Sequence, residues 1–186
     1  QVRSTSGKTG REVAEEILHA NGIYDVDVVK GEGFLTDHYD PNKKVVCLSP
    51  ANFDRPSVAG TAIAAHEVGH AIQHQQGYAF LRFRTALVPL ANIGSSLSYI
   101  IIMAGIFLTA LGSAFGSTAL WIGAGLMSLA VLFSIVTLPV EFDASSRAMK
   151  QITALNIVNE KEYKHARKVL SAAAMTYVAA TATAVA

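Results

Sequence analysis

Polar and apolar positions divide this chain into a long charge-free middle and two patterned flanks. From Thr85 to Val140 there is no Asp, Glu, Lys or Arg. That run of about 56 residues is too long for a buried core helix, and a bilayer crossing needs about 20 apolar residues. Two spans therefore fit, near Leu87–Leu111 and Thr118–Leu138, joined by Gly112-Ser113-Ala114-Phe115-Gly116-Ser117. Gly105, Ala110, Gly123, Gly125 and Ser128 are small enough to let two such helices approach closely. The soluble alternative is a very apolar helical hairpin inside a large oligomer.

The flanks read differently. From about Thr9 to Ala20, Val13, Ile17 and Leu18 recur with a helical period against Arg11, Glu12, Glu15 and Glu16, and Asn21-Gly22 stops the helix. Val26 to Val29 reads as a short strand. Asp40-Pro41-Asn42-Lys43 is a turn by its chemistry, so Phe34-Leu35-Thr36 and Lys44 to Ser49 read as the arms of a β-hairpin. Asp54-Arg55-Pro56-Ser57 starts a helix that runs to about Gln76, where Gly77 ends it. After the second span, Pro139-Val140-Glu141-Phe142-Asp143 restores charge. Asn159 and Glu162 form a capping-box pattern that opens a further helix. Its far end, Ser171 to Ala186, is alanine-rich and uncharged, and either enters the membrane as a third span or packs on the other two. The expected fold is a mainly α membrane protein with a small α+β portion. Its parts are residues 1–84, a span pair over 85–140, and 141–186.

Charge and composition narrow the partners. A net charge of +1 makes no case for nucleic acid, whereas 51% hydrophobic residues point to the lipid bilayer. Arg82 and Arg84 precede the first span and Arg147 and Lys150 follow the second, while the connector has no cation. By the positive-inside rule both flanks are cytoplasmic. The lone Cys47 cannot form an internal disulfide and fits a reducing compartment. It lies in an apolar strand-like run, so it reads as a packed side chain rather than a nucleophile. The chain opens on Gln1 and stops inside an apolar run, so native sequence is expected to be missing or processed at one or both ends; nothing reads as a signal peptide.

The chemistry sits just before the spans, in His66-Glu67-Val68-Gly69-His70. Two histidines four apart on a helix lie one above the other, and their nitrogens can converge on one Zn2+ at about 2.0–2.1 Å. Glu67, beside His66, is placed to take a proton from a water at the metal without being a ligand. Gly69 leaves room for a close neighbour. His74 is too far along for all three histidines to reach one ion, since eight residues rise about 12 Å. Gln73 and Gln76 stand where the metzincin pattern needs Gly and His, which excludes that clan. A catalytic zinc keeps three protein ligands and one open position. The third comes from Glu141, Asp143, His38 or His165. The span hairpin favours Glu141, because it returns the chain to the face it left. His38 between Asp37 and Tyr39 reads as a loop histidine bonded to nearby carboxylates.

The joint pattern resembles the YugP-like neutral zinc metallopeptidases of bacterial membranes. The resemblance runs through Ser4-Thr5-Ser6-Gly7, Thr36-Asp37-His38-Tyr39-Asp40-Pro41, Leu48-Ser49-Pro50, Ala64 to Gln73 and Leu138 to Ser145. It implies a membrane-embedded zincin with a further span before residue 1. More distantly the chain is similar to HtpX-like and CAAX-prenyl membrane proteases, in which a Glu on a later helix completes the zinc site. There an Asp usually follows that Glu by four; here Ser145 stands at that position and Asp143 is nearer.

Residues and resemblance together give the expectation: a zinc-dependent endopeptidase at the cytoplasmic membrane face, acting on a peptide or a membrane protein. His66, His70 and Glu141 hold the ion and Glu67 is the catalytic base. By analogy with zincins, the Val45–Ser49 strand pairs with extended substrate, and His165 or Arg147 stabilises the oxyanion. The rivals are an intramembrane metalloprotease, and a membrane scaffold or protease adaptor with a structural zinc.

Overall fold

The computed structural model describes residues 2–185, and they are mostly helical with one small sheet. The elements in order are α1 (Gly10–Ala20), β1 (Asp27–Lys30), β2 (His38–Asp40), β3 (Val45–Leu48), α2 (Pro50–Asp54), α3 (Val58–Gln75), α4 (Ala79–Ala110), α5 (Phe115–Ala154) and α6 (Glu160–Val185). They form two compact units. One comprises Gln1–Tyr78 with Val140–Thr176, the other Ala79–Pro139 with Tyr177–Ala186.

In the first unit, α1 begins at a capping box. Glu12 N–H donates to Thr9 Oγ1 at 3.3 Å and Thr9 N–H donates to Glu12 Oε2 at 2.8 Å, which satisfies two of the helix's free amides. Its buried face is Val13, Ala14, Ile17 and Leu18. That face packs in one core with Val46 and Leu48 of β3 and Val58, Ala62, Ala65 and Val68 of α3. Ser57 caps α3 by accepting from Gly60 N–H at 3.0 Å. Gly77, with φ +63°, turns the chain just beyond its end. The capping box expected at Asn159 and Glu162 is formed in both directions, at 2.9 and 3.0 Å. The same Glu162 carboxylate accepts from Thr5 N–H at 2.6 Å, which ties the N-terminal segment to α6.

The sheet has the order β1-β3-β2, with β1 parallel and β2 antiparallel to β3. Two expectations fail here. The hairpin's first arm is His38–Asp40 and not Phe34–Thr36. Asp40 Oδ1 accepts from Asn42 and Lys43 N–H, so the turn is tight and pairs Asp40 with Val45 immediately beside it. Phe34 and Leu35 are left exposed on the preceding loop, where Leu35 has φ +59°. The second failure concerns Val45–Leu48, which is the central strand. Both its edges are occupied by β1 and β2, so no backbone groups remain there for an extended substrate. The five-residue α2 was not expected, being too short to show a period.

In the second unit, α4 and α5 pack through their small residues. A Cβ on Gly94 would lie 3.1 Å from Leu126 O, and one on Gly123 would lie 2.5 Å from Ile102 Cγ1. Thr181 of α6 donates to Ser134 O of α5 at 3.3 Å. The helix that holds the second apolar stretch runs on beyond it, as α5 continues unbroken through Pro139 to Ala154. Among the described residues three helices, α4, α5 and α6, are long and apolar enough to cross a membrane.

Candidate metal centre

α3 presents His66 and His70 one turn apart, their rings edge to face with centroids 4.8 Å apart. Onto them α5 brings Glu141. Its Oε2 lies 3.0 Å from His66 Nε2 and 3.5 Å from His70 Nε2. Glu141 is 2% exposed and His70 7%. Gly69 explains how the two backbones come so close. A Cβ there would sit 2.6 Å from the carbonyl oxygen of Ala144, a backbone atom with little freedom to move aside.

The donor set fits zinc. Two ligands held at about 2.1 Å in tetrahedral geometry are about 3.4 Å apart, and the observed separations bracket that value. The hydrogen-bond network adds a second reason. Gln73 is fully buried, and its amide NH2 donates to Val140 O at 2.9 Å and to Asp143 Oδ2 at 2.8 Å. Its Oε1, 3.0 Å from His70 Nδ1, must therefore accept, so Nδ1 carries the proton. In neutral His70 the lone pair on Nε2 then faces a carboxylate oxygen. Two acceptors 3.5 Å apart in a buried site require a proton or a cation between them. Ser145 Oγ lies 3.1 Å from His66 Nδ1 and orients that ring in turn.

Glu67 lies close enough to interact with His66 and Glu141 without joining the three donors. Burial pushes its carboxyl up to about 7; His66 pulls it down, while Glu141 and Asp37 raise it. A carboxyl raised in this way moves towards the range in which a general base works.

Of the other candidates for a third ligand, none joins the three-residue cluster. Asp143 is reached through Gln73 and is paired with Arg147 at 2.5 Å. His38 lies in β2 with its Nδ1 2.7 Å from Thr36 O, so its partner is a backbone carbonyl and not the expected carboxylate. His165 is exposed, with Nδ1 2.9 Å from Lys161 O. His74 pairs with Tyr39 Oη at 2.8 Å. Cys47 is half-buried and burial pushes its thiol up, as suits a packed side chain. Gln73 and Ser145 were not foreseen as orienting groups. The available signal was their spacing, three after His70 and four after Glu141.

Comparison with known proteins follows the same line. The family model described as "Putative neutral zinc metallopeptidase" matches residues 1–186. "Putative membrane protease YugP" of Bacillus subtilis (strain 168) is 43% identical over 180 residues, covering 97% of this chain and 77% of that protein. No solved structure matches.

Proposed function

The chain belongs to the family of putative neutral zinc metallopeptidases, and from that premise we propose a zinc-dependent endopeptidase of the bacterial cell membrane. The observation that carries the proposal is the meeting of His66 and His70 with Glu141, 75 and 71 residues later, around a gap of zinc dimensions beside a buried Glu67. His66, His70 and Glu141 would hold a zinc ion, which would supply the Lewis acidity that acidifies water and polarises a carbonyl. The protein's own residues do the rest. Glu67 takes the proton of the attacking water and returns it to the leaving amine. Gln73 and Ser145 hold the imidazoles with Nε2 turned inward.

In this reading residues 1–84 form a cytoplasmic zincin-like portion, residues 85–140 two membrane-spanning helices, and residues 141–186 carry the third ligand. The C-terminal part of α6 adds a third apolar helix, which makes the protein multi-pass. The active site faces the cytoplasm, as the cations at Arg82, Arg84, Arg147 and Lys150 favour. Substrates are peptides or membrane proteins. The adaptor alternative shares the zinc but has no use for a buried carboxylate next to the metal-holding histidine.

Glu67→Gln separates the two. It keeps size and hydrogen bonding but cannot accept a proton, so peptide cleavage by purified protein should fall about 10²–10⁴-fold. Zinc content should stay near stoichiometric. Unchanged cleavage would remove Glu67 as the base, and absence of cleavage in the wild type would favour the adaptor.

A further inference from the structure

Between α5 and α6 the first unit carries a groove of about 820 Å³. None of His66, Glu67, His70 or Glu141 lines it. Its one link to the metal centre is Ser145, which touches His66 at Nδ1, the nitrogen turned away from Glu141. None of the groups that face the metal therefore opens into the groove.

Its chemistry is graded along its length. Only a few residues join α5 to α6, so the helices run back along each other. Thr153 and Tyr163 lie at the loop end, Phe142 and Ala174 at the far end, and Lys150 and Arg167 between them. Both cations are exposed, and among the described residues neither has a carboxylate or hydrogen-bond partner. Ser146 and Ser171 add hydroxyls, while Leu170 and Ala174 form a buried apolar floor. Beyond the far end both helices lose their charge. α5 has none between its start and Glu141, and α6 has none from Val169 onward.

We propose that this groove binds an anionic phospholipid. Its phosphate sits between the Lys150 ammonium and the Arg167 guanidinium, within reach of the serine hydroxyls. One acyl chain leaves along Leu170, Ala174 and Phe142. Arg offers a planar fork for phosphate oxygens and Lys a compact charge, so the pair suits a phosphodiester better than a zwitterionic headgroup. The proposal rests on the membrane reading of α4, α5 and α6 and is independent of peptidase activity.

The test is a lipid titration of the purified full chain in detergent, read by native mass spectrometry. Phosphatidylglycerol should bind at least tenfold more tightly than phosphatidylcholine with the same acyl chains. K150Q/R167Q should weaken phosphatidylglycerol on the order of 10–30-fold. K161Q/K168Q removes the same charge from α6 outside the groove and should change binding by less than about twofold. If the double variant does not fold, the single variants K150Q and R167Q each carry the test with losses of about fivefold. Equal losses in the groove and control variants would overturn the site in favour of general attraction. So would displacement of the lipid by inorganic phosphate or by an acidic peptide.

Discussion

The two units bury polar groups in different ways. In the apolar unit one buried hydroxyl, that of Thr181, reaches a neighbouring helix, at Ser134 O. The other two, Ser98 and Thr137, turn back on their own helix, donating to Ser95 O and Phe133 O at 2.9 and 2.8 Å, and each is satisfied three or four residues away. In the metal-bearing unit satisfaction runs across the fold. Gln73 of α3 is held by Val140 and Asp143 of α5, and His66 by Glu141 and Ser145. Local satisfaction makes a polar residue dispensable to everything but its own turn. Long-range satisfaction makes every member of the network a determinant of one small volume. The difference predicts where substitutions will be felt at the metal.

The largest effect belongs to Glu141. Glu141→Ala leaves two imidazoles and removes the only carboxylate facing them in the three-donor cluster. Zinc and activity should be lost together, as metal analysis of the purified protein would show. Full zinc in this variant would refute the assignment of the third ligand. Gln73→Leu comes next. It frees His70 Nδ1 and strips a donor from Val140 O and Asp143, so zinc affinity should fall about 10–100-fold. A competition titration against a chelator measures it. An unchanged affinity would show that His70 is oriented by helix packing alone.

How much of this was legible in the sequence follows the same divide. The charge-free run and the HExxH spacing are local patterns, and both were readable. So were the caps at Ser57 and Asn159, whose partners lie three residues away. Glu141 was reached only through topology, by arguing that a helical hairpin returns the chain to its starting face. Gln73 and Ser145 stand at helical spacing from His70 and Glu141, but the bonds that fix them, from Gln73 to Val140 O and from Ser145 to His66, span 67 and 79 residues and leave no local pattern. The expected pairing of Val45–Ser49 with substrate failed for a related reason: β1 adds in parallel to the far side of β3, and no turn residue announces a crossover pairing. At Pro139 the helix runs on and delivers Glu141 two residues later.

Glycines sharpen the comparison in stability terms. Gly69→Ala drives a methyl towards Ala144 O, 2.6 Å away, and should cost about 1–3 kcal/mol of stability. It also pushes α5 from α3, so zinc affinity should drop with it. Gly125 of the apolar unit has nothing within 4 Å of its Cβ position. Gly125→Ala should therefore be neutral, or stabilising by up to about 1 kcal/mol through helix propensity. Thermal unfolding with and without chelator reads both. A larger loss at Gly125 than at Gly69 would reverse the contrast between the units.

The smallest effect is expected at Ser98, whose near-silence the comparison requires. Ser98 is 3% exposed, as buried as many residues around the metal, so burial alone would rank it as sensitive. Its hydroxyl, however, donates to Ser95 O, a carbonyl within its own helix. Ser98→Ala removes the donor together with the need for an acceptor, and that carbonyl keeps its place in the helical hydrogen-bond ladder. The net loss of such a bond is about 0.5–1.5 kcal/mol, offset in part by the better helix propensity of Ala. Chelator competition should give the wild-type zinc affinity within about twofold, because no hydrogen-bonded path of the kind that links Gln73 to His70 leads from Ser98 to the metal. A zinc loss in Ser98→Ala as large as that in Gln73→Leu would mean that packing in the apolar unit sets the metal site's geometry.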